Sequence, residues 1–329
     1  MILSLSHPTA KCNGKLQITG SKSESNRLLL LQALFSGFTI ENTSESDDSK
    51  VMQKALQSDA EVIDVHHAGT AMRFLTAYFA HLEKREVLLT GSQRMQERPI
   101  KILVEALQSL GASIHYEKEE GYPPIRILGK KLKGGTVSLP ANISSQYISA
   151  LLLIGPVLEE GIQIDLVGKI TSVPYIEMTL ALLESLGVQT EFEGQTIRVE
   201  PQKNPKTTSQ IVESDWSSAS YFFSVVALAD QSEIHLRSYK ERSLQGDRVL
   251  REKKKKLGVE STIETQTLTL KKTIVDLPEV LHWDLSKAPD IAQTIAVSCY
   301  GLGIGCKLTG LHTLKIKETD RLQALYNEL

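Results

Sequence analysis

The chain has 329 residues, 41% of them hydrophobic and 23% charged, with a formal net charge of −2. That length favours two domains over one, and the near-neutral balance excludes the broad basic field of a nucleic-acid-binding surface, so any anion site must be a local cluster of Lys and Arg. Cys12, Cys299 and Cys306 lack metal-site spacing and suit a reducing compartment, residues 1–8 are too short and uncharged for a signal peptide, and no apolar run reaches membrane-spanning length, so a cytoplasmic protein without membrane partners is expected.

Residues 2–6 and 15–19 alternate like short strands, with Asn13-Gly14 as the turn between them. Gly20-Ser21-Lys22-Ser23-Glu24-Ser25-Asn26-Arg27 then runs into a leucine-rich stretch. This order reads as a loop feeding a helix, with Ser23 or Ser25 as its cap. A helix start offers unpaired N–H groups and the positive end of a dipole, and Lys22 and Arg27 add full charges beside it. A phosphorylated small molecule is the ligand class that fits; a capped helix with surface cations is the competing reading. Residues 38–41 read as a strand, and Ser44 to Asp48 cap a helix over about 50–57. His66-His67 invites a metal reading, but adjacent side chains of a strand point to opposite faces. Gly69, among small residues, allows close backbone approach before another helix. A strand over 86–90 leads into a loop carrying Arg94, Arg98 and Pro99, either an ordered cation-bearing segment or a solvated charge pair.

A pattern then recurs. Amphipathic helices over 102–110, 176–186 and 248–257 each end in Leu-Gly and pass into a strand. Gly111, Gly187 and Gly258 supply the left-handed helix ends, 76 and 71 residues apart. One supersecondary unit of strands and two helices is therefore reused, which favours a layered α/β (α+β) fold. Ser144-Ser145-Gln146 opens a further helix, and Thr171-Ser172-Val173-Pro174-Tyr175 another. Three helix starts with serine clusters could converge on one polar anion. Lys253 to Lys256 reads as a solvated helix face. Gly301-Leu302-Gly303-Ile304-Gly305 follows a helix instead of preceding one, so it is not a dinucleotide fingerprint. Alternation over 312–316 reads as a strand entering a charged helix start, and Asp290, Lys317, Glu318 and Arg321 hold the elements of an acid–base pair and an anion clamp; capping by Asp290 and surface ion pairing are the competing reading. The last helix, over 320–329, ends where the next Leu-Gly cap is due, so the chain is expected to stop within a repeat.

Eight motifs in one order now stand together: 20–27, Ala-Gly-Thr-Ala-Met-Arg (68–73), Arg-Met-Gln-Glu-Arg-Pro-Ile (94–100), Ser-Ser-Gln (144–146), Pro-Tyr-Ile (174–176), Ser-Ser-Ala-Ser-Tyr-Phe (217–222), Pro-Asp (289–290) and Lys-Glu-Thr-Asp-Arg-Leu (317–322). From about residue 14 to 329 the sequence resembles the EPSP synthase (3-phosphoshikimate 1-carboxyvinyltransferase) family. The resemblance implies an inside-out α/β barrel of two domains, each with pseudo-threefold symmetry. The first domain would be 21–213 and the second 1–20 plus 214–329, its last repeat incomplete, with the site in the cleft between them. It implies a monomer that transfers the enolpyruvyl group of phosphoenolpyruvate to the 5-hydroxyl of shikimate 3-phosphate, with no metal or cofactor. By motif, Lys22, Gly69, Arg98, Gln146 and Arg321 would serve phosphoenolpyruvate. Ser23, Arg27, Ser144, Ser145, Gln146, Ser172, Tyr175, Asp290 and Lys317 would serve shikimate 3-phosphate. Lys22, Asp290 as base and Glu318 as acid would be catalytic. His67, Phe74 and Thr313 depart from the family's common residues, the first two beside the phosphate pocket where glyphosate competes. The family's closing Asp-His-Arg-Met motif and C-terminal lysine are not found, so an inactive or poorly folded chain that at most binds shikimate 3-phosphate is one expectation. UDP-N-acetylglucosamine enolpyruvyltransferase is the other alternative; its usual loop cysteine has no counterpart in 91–98.

Overall fold

The computed structural model describes residues 6–170, 173–204, 206, 209–317 and 319–329, Ile316 by its backbone alone. The chain forms two compact units, one continuous over Gly20–Val212 and one made of the segment ending at Thr19 joined to Glu213–Leu329. It starts in the discontinuous unit with β1 (Lys11–Gln17). Asn13-Gly14 is no turn: both residues are paired within β1, to Glu233 and Ile234, in a parallel ladder. The hairpin reading fails because β1 finds its partner more than 200 residues away. The expected strand over 2–6 lies mostly outside the described residues.

The continuous unit opens with α1 (Lys22–Leu34), β2 (Thr39–Glu41) and α2 (Asp47–Leu56). At its first residue, Gly20, a Cβ would fall 1.8 Å from the Asn42 carbonyl oxygen, so only glycine fits there. Next come β3 (Val62–Asp64), α3 (Gly69–His81), β4 (Glu86–Thr90), the single turn α4 (Gln93–Gln96), α5 (Lys101–Ser109), β5 (Ser113–Tyr116) and β6 (Ile125–Leu128). The same order returns as β7 (Gly135–Pro140), α6 (Ser145–Ile154), β8 (Ile162–Val167), α7 (Val173–Ser185), β9 (Thr190–Glu193) and β10 (Thr196–Val199). Each copy makes one four-stranded sheet, β3-β4-β6-β5 and β7-β8-β10-β9. Its first two strands are parallel and the rest antiparallel. β11 (Ser209–Ile211) returns to pair with β2 in parallel. α3 is buried from Gly69 to Ala80 and α6 along nearly its whole length. A helix apolar on all sides belongs in the interior, and these two form the unit's centre.

The discontinuous unit repeats the plan. α8 (Trp216–Leu228), β12 (Gln231–Arg237), α9 (Leu250–Lys255), β13 (Val259–Glu264) and β14 (Thr267–Lys272) complete the sheet β1-β12-β14-β13. β15 (Val280–Asp284), α10 (Ala292–Gly301) and β16 (Gly305–Thr309) follow, with β15 and β16 paired in parallel, and then α11 (Arg321–Glu328). One apolar core, with Trp216, Phe223, Tyr239, Leu268 and Ile295 inside it, holds the unit together. Gly111, Gly187 and Gly258 have φ of +98°, +87° and +75°, the left-handed helix ends expected of them.

Four local expectations change. The cap of α1 is Ser21, whose hydroxyl accepts from the Glu24 N–H at 3.4 Å; Ser25 is inside the helix and accepts from the Ser44 N–H at 2.8 Å. Residues His312–Ile316 form a 3-10 turn, the strand having ended at Thr309. The third amphipathic helix begins as a 3-10 turn over Gly246–Val249. Within the lysine run Lys254 is fully buried, because consecutive helical residues point in all directions and one of four must face the core.

Candidate active site

In the continuous unit the site is built from helix starts. The Arg27 side chain is 3% exposed. Its Nε donates to Thr179 Oγ1 at 2.8 Å, one terminal nitrogen to the Ser23 carbonyl at 2.8 Å, and the other to Ser149 Oγ at 2.9 Å and the Tyr175 carbonyl at 3.3 Å. These partners lie in the first two turns of α1, α6 and α7, so one guanidinium ties three helix N-termini together. Gln146 Nε2 donates to Thr70 Oγ1 at 3.1 Å and brings in the start of α3. Four positive dipole ends therefore gather at one end of the unit. Burial lowers the Arg27 pKa to about 10, which still leaves it charged at neutral pH. It is not a surface cation.

The start of α3 has no side-chain cap, since Ala68 precedes it. Its first N–H groups are left for a ligand or water. A Cβ on Gly69 would lie 2.6 Å from a terminal nitrogen of Arg98, so glycine lets the guanidinium rest against the helix start. Arg73 fixes this arrangement from below. It is buried, and donates to the Gly69 carbonyl at 3.3 Å and the Pro99 carbonyl at 2.9 Å. The Tyr147 hydroxyl donates to the same Pro99 carbonyl at 2.5 Å. The loop bearing Arg98 is thus fastened to α3 and α6. Beside it, His67 Nδ1 and Ser92 Oγ are 2.8 Å apart. His66, with φ +49°, is in a turn after β3, not in a strand. Among the described residues no group of His, Cys, Asp and Glu is arranged for a metal ion.

In the discontinuous unit Asp290, on the 3-10 turn Pro289–Ile291, is one-fifth exposed and meets Arg321 at 2.9 Å and Lys317 at 3.2 Å. It makes ion pairs and caps no helix, since Ile291 precedes α10 without a side-chain cap. Arg321 is the first residue of α11, whose cap Asp320 accepts from the Leu322 and Gln323 N–H groups at 3.0 and 3.1 Å. A further carboxylate belongs to this cluster. Asp247 is buried, its oxygen taking the Ser217 hydroxyl. Burial, helped by the charges of Asp290 and Asp215 and opposed by Ser217 and Lys317, pushes its pKa up to about 7. Neighbouring carboxyls that cannot all ionise hold a proton near neutrality. Buried Glu213 braces this region, accepting from Trp216 Nε1 at 2.9 Å, the Lys240 N–H at 2.9 Å and the Ser243 hydroxyl at 2.5 Å.

The structure thus collects Lys22, Ser23, Arg27, Gly69, Arg98, Ser144, Ser145, Gln146 and Tyr175 in one unit, at or beside helix starts. Ser144 caps α6 on the Gln146 N–H at 3.4 Å. Asp290, Lys317 and Arg321 meet in the other unit. Ser172 and Glu318 lie outside the described residues.

The family model of EPSP synthase (3-phosphoshikimate 1-carboxyvinyltransferase) matches residues 57–329. A 3-phosphoshikimate 1-carboxyvinyltransferase of Bacteroides fragilis (strain YCH46) is 46% identical over 319 residues, covering 95% of this chain and 76% of that protein. One from Marinomonas sp. (strain MWYL1) is 36% identical over 350 residues, covering 98% and 81%. The chain belongs to the EPSP synthase family. The EPSP synthase structure from Acinetobacter baumannii shares the fold, with a TM-score of 0.73 at 22% identity over 97% of this chain and 78% of that one. Three residues that the structure places in these two clusters escaped the sequence reading: Thr70 and Arg73 in the continuous unit, Asp247 in the discontinuous one. Thr70 and Arg73 stand inside a motif read for its glycine alone. Asp247, after Gly246, looks like any carboxylate at a helix start until packing buries it.

Proposed function

We infer that the chain transfers the enolpyruvyl group of phosphoenolpyruvate to the 5-hydroxyl of shikimate 3-phosphate and releases phosphate. Membership of the EPSP synthase family carries the reaction; the Gly69–Arg98 contact at an uncapped helix start is the observation that carries the donor site. Both substrates carry a phosphate and a carboxylate. Two like charges 4 Å apart repel by about 4 kcal/mol at a surface-like dielectric, so cations and dipole ends must offset them. Lys22, Arg98 and the N–H groups at Gly69 hold the donor, with Arg321 and Gln146. Ser23, Ser144, Ser145, Ser172 and Tyr175 hold the acceptor with Lys317, while Arg27 braces the helices that present them.

Asp290 takes the proton of the acceptor hydroxyl. The oxygen adds to C2 of the enol as C3 gains a proton, with Glu318 as the acid. C3 then loses a proton, the C2–O bond to phosphate breaks, and phosphate departs. Arg321 and Lys317 are ion-paired with Asp290 and hold its carboxylate in place. Asp247, holding a proton near neutrality, limits the negative charge beside it. A cytoplasmic monomer is part of the same proposal.

Phosphate release from phosphoenolpyruvate in the presence of shikimate 3-phosphate tests this reading. Release is expected with that acceptor and not with UDP-N-acetylglucosamine. Calorimetric binding of shikimate 3-phosphate without release would support a binding-only protein instead.

A further inference from the structure

Cys299 and Cys306 are not used by the transfer chemistry, and the fold brings them together. Cys299 is buried in the last turns of α10, within the core cluster. The chain reverses just after it, the Ile304 N–H donating to the Cys299 carbonyl at 3.0 Å, and enters β16. Cys306 stands in register with Leu281 of β15, and Leu308 with Trp283. Paired residues of a sheet share a face, and side chains alternate along a strand. Leu281 and Trp283 are core residues, and Ile304 and Leu308 pack against the same core. Cys306 therefore faces the side on which α10 lies, toward Cys299. Both thiols are reduced, and Cys306 is close enough to Cys299 to act on its thiol. Cys306 is at the same time exposed, on a strand whose residues are mostly open to solvent.

We propose that Cys299 and Cys306 form a thiol–disulfide exchange site, which a small-molecule disulfide oxidises to an intramolecular bond between α10 and β16. The two cysteines have different parts in it. Cys306 is the accessible thiol, so its thiolate attacks the oxidant. The oxidant's S–S bond breaks, a mixed disulfide forms on Cys306, and one oxidant thiolate leaves. Cys299 then loses its proton and attacks the Cys306 sulfur, expelling the second oxidant thiolate. Two protein thiols give up two electrons and two protons, and one oxidant disulfide becomes two thiols. Burial and the neighbouring thiol push the Cys299 pKa up to about 11, which makes it the poorer first nucleophile and sets this order. Lys254, buried near Cys299, opposes part of that rise. The pair links the final turn of α10 to the strand leading toward the 3-10 turn that precedes Lys317.

The folded protein is incubated with oxidised glutathione, quenched by alkylation, and measured by intact mass and peptide mapping. The expected product is a monomer lighter by two hydrogens, with Cys299 joined to Cys306. The Cys12→Ser variant should give the same product. Cys299→Ser should stop at one glutathione adduct on Cys306, and Cys306→Ser should not react at this pair. A wild-type product that stops at a glutathione adduct, joins Cys12, or links two chains would overturn the proposal. The wild-type peptide map decides by itself should a variant fail to fold, as circular dichroism would show.

Discussion

Arg73 commits its guanidinium to two backbone carbonyls, those of Gly69 and Pro99, on either side of the Arg98 contact. It is thus a positioning residue for the proposed donor site. Arg73→Met leaves the Gly69 carbonyl without this donor, a cost of roughly 1–3 kcal/mol. Thermal melting should fall, and KM for phosphoenolpyruvate should rise more than KM for shikimate 3-phosphate. Equal rises in both would assign Arg73 to the core alone. Lys22, half-buried at the start of α1, is a different case. Lys22→Met should fold normally and lose about 10²–10³-fold in kcat/KM, the loss typical of a removed charge-stabilising donor; unchanged turnover would remove Lys22 from the site. Asp247 adds a pH signature. Its folded pKa, about 7, is raised above the ordinary carboxylate value near 4. The folded state holds the proton longer than the unfolded one, so this contribution to stability is present at low pH and is lost as pH rises from about 4 to 7. Asp247→Asn should therefore gain melting temperature relative to wild type at pH 8 and little at pH 4. Equal differences at both pH values would mean Asp247 titrates normally.

Helix α9 shows what sequence patterning can and cannot deliver. Four lysines in a row read as a solvated face, yet Lys254 is fully buried with no carboxylate among its hydrogen-bond partners, Ser224 Oγ at 3.2 Å, the Thr294 carbonyl at 3.4 Å and Ser298 Oγ at 2.5 Å. Burial pushes its pKa down to about 7. The folded unit therefore favours the neutral amine, and stability rises as pH climbs from about 7 toward the ordinary lysine value near 10.5. Lys254→Met should stabilise the protein at pH 6.5, with the gain shrinking by pH 10.5; a constant gain would mean the amine stays charged throughout. Which of four lysines turns inward depends on the phase of the helix, and a 3-10 entry over Gly246–Val249 shifts that phase out of reach of pattern counting. The helix ends were readable because a left-handed residue selects glycine by local sterics alone. The partner of β1 was not, since a parallel neighbour at Gln231–Arg237 leaves no local trace. Asn13-Gly14 matches a turn signal and is consumed inside a strand instead.

Across the molecule, the recurring Leu-Gly helix ends correspond to the sheets β3-β4-β6-β5, β7-β8-β10-β9 and β1-β12-β14-β13, each built in the same order. That periodicity was legible because each copy needs the same stop signal at the same place. The gathering of four helix starts was only half legible. Serine clusters announced the starts, but the links that hold them together, Arg27 to Ser149 and Thr179, and Gln146 to Thr70, join residues 76 to 152 positions apart. Glu318, given the acid's role by family likeness, and Asp290 stand in the repeat whose ion pairs the structure shows directly at Lys317 and Arg321. The whole account requires the donor to break at its carbon–oxygen bond, not at phosphorus. Phosphoenolpyruvate labelled with heavy oxygen at the bridge between C2 and phosphorus, turned over with shikimate 3-phosphate, reports which bond breaks. The account predicts that all of the label leaves with phosphate while the acceptor gains an enolpyruvyl group. Label retained in pyruvate, with the acceptor unchanged, would contradict it.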